Sequence, residues 1–139
     1  MSPQAWTLDE LVEGTEARFQ YLVRDADVEA FAELSGDRSP LHTDPVFSRQ
    51  AGFRDRVVHG AFFAALASRL VGMELPGRDS LLLSLKLDFV APTFPGETVE
   101  VTGRVESVHP AQRTVLLCLA VTCGGEPRAR GSALVRVGG

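Results

Sequence analysis

The sequence has few of the features that place a protein in a specialised class. It contains two cysteines in 139 residues, which is too few for a disulfide framework of the kind found in small secreted domains. No segment approaches the roughly 18 apolar residues of a membrane-spanning helix. The formal charge of −4 is scattered and includes no basic run, so neither nucleic acid nor a membrane is an expected partner. An ordinary globular composition remains.

The two cysteines and the N-terminus indicate the state of the thiols and the cellular location of the protein. Cys118 and Cys123 lie on one predicted strand and would point to opposite faces, so a bridge between them would have poor geometry. Since there is no CxxC and no nearby histidine, we expect buried, reduced thiols rather than a metal site. The N-terminal residues have neither the basic flank nor the apolar run of a signal peptide, and we expect a cytoplasmic location.

Hydrophobic periodicity predicts one domain over residues 1–139 with strands and helices in a definite order. Alternating apolar residues predict strands, and apolar residues at helical spacing predict helices. In the strand near residue 85, the alternation places Leu81, Leu83, Leu85, Leu87 and Phe89 on one face. The predicted strands are 16–24, 81–89, 98–108, 113–123 and 128–137, and the predicted helices are 27–35, 45–51 and 60–73.

The helix predicted over 60–73 is apolar around almost its whole circumference. Such a helix is expected to be buried on all sides, so something must surround it. The four predicted strands that follow are joined by short turns, which favours an antiparallel sheet. The pattern therefore predicts an α+β fold in which a curved antiparallel sheet wraps around one long central helix.

A short polar segment carries the best candidates for chemistry. Gly36 is a residue type that ends helices, and Pro40 excludes the α conformation at Ser39 and supplies no N–H. Asp37 and His42 therefore lie at either end of a rigid turn and can converge on one point. A carboxylate and an imidazole held together in a cleft are typical of acid–base catalysis. Taken alone, Asp37 could equally form an Asx turn, and His42 could be a hydrogen-bonded loop histidine.

The chain resembles a known family in this segment and in two others. The residues are Phe31-Ala32-Glu33-Leu34-Ser35-Gly36-Asp37-x-Ser39-Pro40-Leu41-His42-x-Asp44-Pro45, Val58-His59-Gly60 and Leu75-Pro76-Gly77. They are similar to the MaoC-like, (R)-specific enoyl-CoA hydratases, and the similarity runs from about Glu16 to the C-terminus. The resemblance implies a hotdog fold and no cofactor or metal.

The resemblance also implies roles for individual residues. Asp37 and His42 correspond to the catalytic pair of an Asp-x-Asn-Pro-x-His motif, and Gly60 corresponds to the backbone oxyanion donor. Ser68 corresponds to a serine near the acyl site. Ser39 stands where the family usually has asparagine. A serine has one hydroxyl in place of an amide with two donors.

Two further residues are expected near the substrate. His59 would hydrogen-bond the loop and fix the Gly60 amide, and Phe62 would belong first to the core and second to the acyl-pocket wall. Ser68 could instead bond to its own helix backbone. The bulk of Phe62 and Phe63 favours short-to-medium acyl groups.

With these residues in place, the resemblance implies (R)-specific hydration of trans-2-enoyl thioesters, or the reverse dehydration of (R)-3-hydroxyacyl thioesters. CoA is the expected carrier of the acyl group, and acyl carrier protein is the alternative. One alternative is a hotdog thioesterase, but the central helix has no Asp or Glu to activate water. Another is a non-catalytic acyl-CoA-binding subunit, which only Ser39 favours. A sheet edge and an apolar face left uncovered predict a homodimer.

Overall fold

The computed structural model describes residues 1–138. Its helices and strands follow the predicted order, with one additional single-turn helix in the Asp37–His42 segment. In chain order they are β1 (Glu16–Leu22), α1 (Asp25–Ser35), α2 (Pro40–Thr43), α3 (Pro45–Gln50), α4 (Phe62–Arg69), β2 (Ser80–Phe89), β3 (Thr98–His109), β4 (Thr114–Cys123) and β5 (Glu126–Val137).

The five strands form one antiparallel sheet in the order β1-β3-β4-β5-β2. The strands β3, β4 and β5 are joined by short turns, as predicted. The inward residues are those that the alternation selected, including Val101, Val105, Leu117 and Val135, and each is at most 1% exposed. Strands β1 and β2 form the two edges. The predicted α+β architecture is confirmed.

Helix α4 packs against this sheet through one side only. Phe63, Leu66 and Leu70 are buried against it. A Cβ atom added at Gly103 in β3 would overlap the Leu70 side chain, which shows how closely the helix end approaches the sheet. A side chain at position 103 would therefore have to displace the end of the Leu70 side chain.

The prediction that the central helix is buried on all sides is wrong. Ala61, Ala65 and Ser68, which share one face at helical spacing, are exposed. The sheet of one chain curves around only part of the helix circumference. The helix also changes its winding: it is α-helical to Arg69 and continues as one π-helical turn over Leu70–Glu74.

The predicted common face of β2 is half right. A bulge between Leu82 and Ser84 inserts one extra residue into the pairing with β5. As a result Leu82, Leu85 and Leu87 pack against the core, while Leu81 and Leu83 are 57% and 48% exposed. The simple alternation failed because a bulge changes the phase of a strand.

The cysteines lie on β4 as predicted and both are free thiols, but they are not both buried. Cys118 is exposed and Cys123 is half-buried, because Cys118 points to the face of the sheet away from α4. Within residues 1–138, no helix is long and apolar enough to cross a membrane.

Candidate active site

The Asp37 loop is shaped by the end of α1 and the start of α2. Helix α1 ends at Gly36, which has a left-handed φ of 78°. The Asp37 carboxylate then accepts a hydrogen bond from the Ser39 backbone N–H at 3.2 Å, which forms an Asx turn. Proline at position 40 starts α2. The carboxylate is therefore oriented by the backbone two residues ahead of it.

The position of His42 defines which ring nitrogen carries hydrogen. Its Nδ1 lies 2.6 Å from the carbonyl oxygen of Val57, and a carbonyl oxygen can only accept, so we place the hydrogen on Nδ1. The neutral ring then has its lone pair on Nε2. This Nε2 faces Oδ2 of Asp37 at 3.9 Å, which is too long for a direct hydrogen bond.

Asp37 and His42 differ in exposure. The Asp37 side chain is 50% exposed and the His42 side chain 14%. The pKa of Asp37 lies below its ordinary value, chiefly because the Ser39 N–H donates to the carboxylate. The Ser39 hydroxyl and the His42 and His59 imidazoles lower the pKa further by smaller amounts, while partial desolvation acts in the opposite direction. Asp37 is therefore ionised at neutral pH.

Gly60 lies two residues before helix α4, in the turn that leads into it. Phe62 and Phe63 donate their N–H groups to the carbonyls of His59 and Gly60, each at 3.0 Å. Within residues 1–138, no acceptor takes the N–H of Gly60. A donor of this kind, beside the positive end of a helix, is suited to bind an oxygen that gains negative charge.

His42 and Gly60 line the same cleft, which has a volume of about 370 Å³. Its walls are mainly apolar and come from the segment before α4, from α4 itself and from the end of β2. Apart from His42 and Gly60, the lining residues are Phe53, Val57, Val58, Phe63, Phe89, Val90, Ala91, Pro92 and Thr93. Such a cleft fits an apolar chain with a polar group at one end.

An ion pair holds one wall of the cleft in place. Arg128 donates to both carboxylate oxygens of Glu97, at 2.8 and 2.9 Å, and to the carbonyl of Pro92 at 2.9 Å. The pKa of Glu97 is lowered to about 2, mainly by its hydrogen bonds from Arg128. The carbonyl of Thr93 in turn accepts the Val58 N–H at 2.8 Å, which ties this wall to the segment that carries Gly60.

His59 lies beneath the two candidate catalytic side chains and is only 2% exposed. Its Nε2 lies 2.9 Å from the backbone carbonyl oxygen of Asp37. Its ring stacks on the His42 ring, with centroids 3.9 Å apart and planes 22° apart. On another side it contacts Phe31 at 4.8 Å between ring centroids.

The cluster of Asp37, His42 and His59 resembles a metal centre in composition, since one polar atom of each lies within 4.8 Å of the others. The stacking argues against it. An imidazole binds a metal through a lone pair in its ring plane, and two nearly parallel rings 3.9 Å apart cannot both direct such a lone pair at one ion. His59 also uses Nε2 for the Asp37 carbonyl.

The other predicted site residues lie at different distances from the cleft. Ser39 adjoins Asp37 and is exposed. Phe62 is buried among Tyr21, Phe31 and Phe63 and lines a second, smaller apolar cavity of about 190 Å³ together with Leu34 and Ala65. Ser68 lies on the exposed face of α4 and is not among the residues lining either cavity.

Sequence reasoning missed part of the cleft. Phe89 appeared only as the last member of an alternating strand, and the Val57 carbonyl oxygen is a backbone atom that leaves no signal in a sequence. Thr93 is 1% exposed, yet its buried place in a loop depends on Arg128, which is 35 residues away in the chain.

Comparison with known proteins identifies the family. The model of the family described as "MaoC like domain" matches residues 10–119. This chain belongs to the MaoC-like domain family. One relative, a 3-hydroxybutyryl-CoA dehydratase of Methylorubrum extorquens, is 36% identical over 115 residues, covering 83% of this chain and 73% of the relative. Another, an (R)-specific enoyl-CoA hydratase of Aeromonas caviae, is 36% identical over 125 residues, covering 89% and 93%.

Solved structures place this MaoC-like chain in the predicted hotdog fold. It superposes on the (R)-hydratase of A. caviae with a TM-score of 0.88 and 35% identity, over 91% of this chain and 97% of that one. An R-hydratase of Pseudomonas aeruginosa gives a TM-score of 0.92 with 28% identity, over 98% and 88%. The MaoC-like family and hotdog fold implied by the sequence are thus confirmed.

Proposed function

We propose that this MaoC-like protein is a lyase that catalyses (R)-specific hydration of trans-2-enoyl thioesters and the reverse dehydration. The observation that carries the proposal is that the His42 lone pair and the free Gly60 N–H share one apolar cleft, with the Asp37 carboxylate 3.9 Å from His42 Nε2. The names of the relatives from M. extorquens and A. caviae support the same reaction class.

In the proposed mechanism, a water molecule bonded to both Asp37 and His42 attacks C3 of the enoyl group. His42 Nε2 accepts the proton of this water, because its lone pair is free and because the ionised Asp37 carboxylate is a weak base. The Asp37 carboxylate orients the water and stabilises the imidazolium. The imidazolium then returns the proton to C2. Since one pair of side chains delivers both the hydroxyl and the proton, the addition is syn.

The Gly60 N–H would stabilise the thioester oxygen. When the nucleophile adds to C3, electrons move through C2 and the carbonyl, so negative charge develops on that oxygen until C2 is protonated. A backbone donor beside the start of α4 stabilises this charge without a change in structure. Removal of one such donor typically costs about 100-fold or more in rate.

The substrate is an acyl-CoA, with acyl carrier protein as the alternative carrier, and we expect a cytoplasmic location. Two alternative functions, a thioesterase and a non-catalytic binding subunit, are less well supported. A thioesterase of the expected kind needs a carboxylate on the central helix, and α4 contains none. A non-catalytic binding subunit would have no need for the His42 tautomer and the free Gly60 N–H to meet at the cleft.

The test is the loss of enoyl-thioester absorbance when purified protein is added to crotonyl-CoA and to an eight-carbon enoyl-CoA. Asp37→Asn and His42→Ala should each lose at least about 100-fold in kcat. Asp9→Asn and His109→Ala, which change exposed residues outside the cleft, serve as matched controls. An (R)-3-hydroxy product supports the proposal. Release of free thiol indicates a thioesterase, and saturable binding without turnover indicates a binding subunit.

We further propose that the active unit is a homodimer with the cleft near the interface. Ala65, which shares the exposed face of α4 with Ala61 and Ser68, lines a small cavity together with Leu34, which is 85% exposed. Strand β2 presents an open sheet edge. A second copy covering these surfaces would bring Ser68 into a shared site. Sedimentation at micromolar concentration should show dimers of the native chain and monomers of Ala65→Glu, and native monomers would contradict the proposal.

A further inference from the structure

We propose that His59 is a positioning residue, which holds Asp37, His42 and Gly60 in one fixed arrangement; this rests on the function proposed above. His59 touches all three groups. It hydrogen-bonds the backbone of Asp37, stacks on the ring of His42, and is joined to Gly60 by a peptide bond. It is not among the residues that line the cleft, so it acts through its neighbours and not on the substrate.

The hydrogen bond to Asp37 defines the tautomer of His59. The Asp37 carbonyl oxygen can only accept, so the hydrogen of the neutral His59 ring is on Nε2. This bond joins two segments 22 residues apart. It fixes the backbone of Asp37 from below, while the Ser39 N–H fixes its carboxylate from the other side. The carboxylate is thereby held at both its backbone and its side chain.

The stacking completes the orientation of His42. The bond from His42 Nδ1 to the Val57 carbonyl fixes the direction of one ring atom, but it leaves the ring free to tilt about that contact. The flat face of His59, 3.9 Å away between centroids, restricts the tilt. Phe31 contacts His59 at 4.8 Å, so the ring that supports His42 is itself supported.

Gly60 depends on His59 through the chain. The carbonyl of His59 accepts the Phe62 N–H at 3.0 Å in the first turn before α4. The plane of the peptide between His59 and Gly60 sets the direction of the Gly60 N–H. A shift of the His59 backbone would therefore turn the oxyanion donor, and misplacement of a catalytic group by about 1 Å can cost on the order of 100-fold in rate.

Three substitutions separate the two side-chain contacts. His59→Gln keeps an N–H donor in the place of Nε2 but loses the ring, and His59→Phe keeps a ring for stacking but loses the donor. His59→Ala loses both. We expect kcat on crotonyl-CoA to fall about 100-fold in His59→Ala and about 10-fold in each of the other two. The KM should stay within about twofold, because His59 does not touch the substrate.

The matched control is Val105→Ala, which removes two buried methyl groups in β3 outside the cleft. This variant should be less stable but should keep its kcat at a temperature where it is folded. If the His59 variants lost kcat only in proportion to their unfolded fraction, or if His59→Ala kept the native kcat, the proposal would be overturned.

A second measurement does not depend on turnover. The chain has three histidines, so nitrogen NMR can assign the tautomer of each ring, with His109→Ala used for assignment. The native protein should show His42 protonated on Nδ1 and His59 on Nε2. In His59→Ala, the Val57 carbonyl still accepts from His42 Nδ1, so the tautomer should persist, but the unsupported ring should tilt and the Nδ1 hydrogen should exchange faster with solvent. An unchanged exchange rate overturns the proposal. If the native protein failed to hydrate any enoyl thioester, the proposed function would fail, and this exchange rate would still decide the role of His59.

Discussion

The ring of Phe89 lies directly against Gly60. A Cβ atom at position 60 would come within 3.1 Å of Cε2 and Cζ of Phe89, so only glycine fits there without displacing the ring. The exposed end of β2 thus forms a wall beside the candidate oxyanion donor.

We predict that Gly60→Ala lowers kcat/KM on crotonyl-CoA about 10-fold, because the new methyl group displaces Phe89 or the Gly60 amide while the N–H itself remains. The double variant Gly60→Ala/Phe89→Leu removes most of the crowding and should recover part of the activity. Steady-state kinetics of the two variants and of Phe89→Leu alone test this. Full activity of Gly60→Ala would contradict the close contact.

Position 39 offers a test of how Asp37 is oriented. The Ser39 N–H makes the largest contribution to the lowered pKa of Asp37, and the hydroxyl makes a smaller one. We predict that Ser39→Ala raises this pKa slightly and changes kcat less than about threefold, since one weak neutral hydrogen bond is lost. Ser39→Pro removes the N–H at a φ of −58°, which proline accepts.

Ser39→Pro should therefore raise the pKa of Asp37 more than Ser39→Ala does, because the charged carboxylate loses its main donor. Carbon NMR titration of the Asp37 carboxyl group measures both changes, and Ser39→Asn, which restores the family's usual residue, is the control. Equal effects of alanine and proline would show that the backbone N–H does not hold the carboxylate.

The Glu97–Arg128 pair predicts a pH-dependent stability. Glu97 has an ordinary pKa of 4.5 when unfolded and a pKa of about 2 in the folded protein. Its contribution is fully present above pH 4.5 and is lost as the pH falls toward 2. Urea unfolding of Glu97→Gln should show a loss of roughly 2–3 kcal/mol at pH 6 that shrinks toward pH 2.

The exposed residue Glu29 provides a control, since Glu29→Gln should have little effect at any pH. A difference between the native protein and Glu97→Gln that did not change with pH would mean that the ion pair with Arg128 does not stabilise the fold. The pair also holds Pro92 and Thr93, so Glu97→Gln should raise the KM for substrate as well.

Two glycines of the sheet should differ in their tolerance of a side chain. A Cβ atom at Gly131 would overlap the backbone carbonyl of Lys86 on β2, whereas one at Gly103 would overlap only the end of the Leu70 side chain. We predict that Gly131→Ala costs about 3 kcal/mol or more and Gly103→Ala about 1–2 kcal/mol, because a side chain can change rotamer and a paired strand cannot move. Urea unfolding compares the two, and equal costs would contradict this account.

The sequence predicts the structural place of a residue when the residue's type and spacing alone determine it. The alternation over β3, β4 and β5 selected the inward residues correctly, and Gly36 and Pro40 marked the ends of a turn. Asp44 followed by Pro45 is a common start of a helix, and Asp44 accepts the N–H groups of Val46 and Phe47 at the start of α3. The order of Asp37, His42 and Gly60 along the chain pointed to a single site. His42 and Gly60 line one cleft and Asp37 lies 3.9 Å from His42, while the catalytic role of the three residues stays a prediction.

What the sequence missed depends on long-range contacts. A bulge is a property of two paired strands, so nothing in β2 alone showed that Leu81 would face outward. The exposed face of α4 depends on how far the sheet of one chain reaches. The stacking of His59 on His42 depends on the distance between two loops, and an isolated histidine in a sequence does not show what its ring will touch.

The bulge at Leu83 keeps the inward residues of both halves of β2 on the same face of the sheet. Before it, Ser80 and Leu82 pair opposite Val137 and Val135 of β5, and after it Leu85 pairs opposite Ala133; the extra residue absorbs the change of phase between the two halves. Loss of one residue from a strand ordinarily turns every later side chain to the other face. Deletion of Leu83 would instead leave a regular ladder with each inward residue still inward, so this edge of the sheet tolerates the loss of one residue at this position.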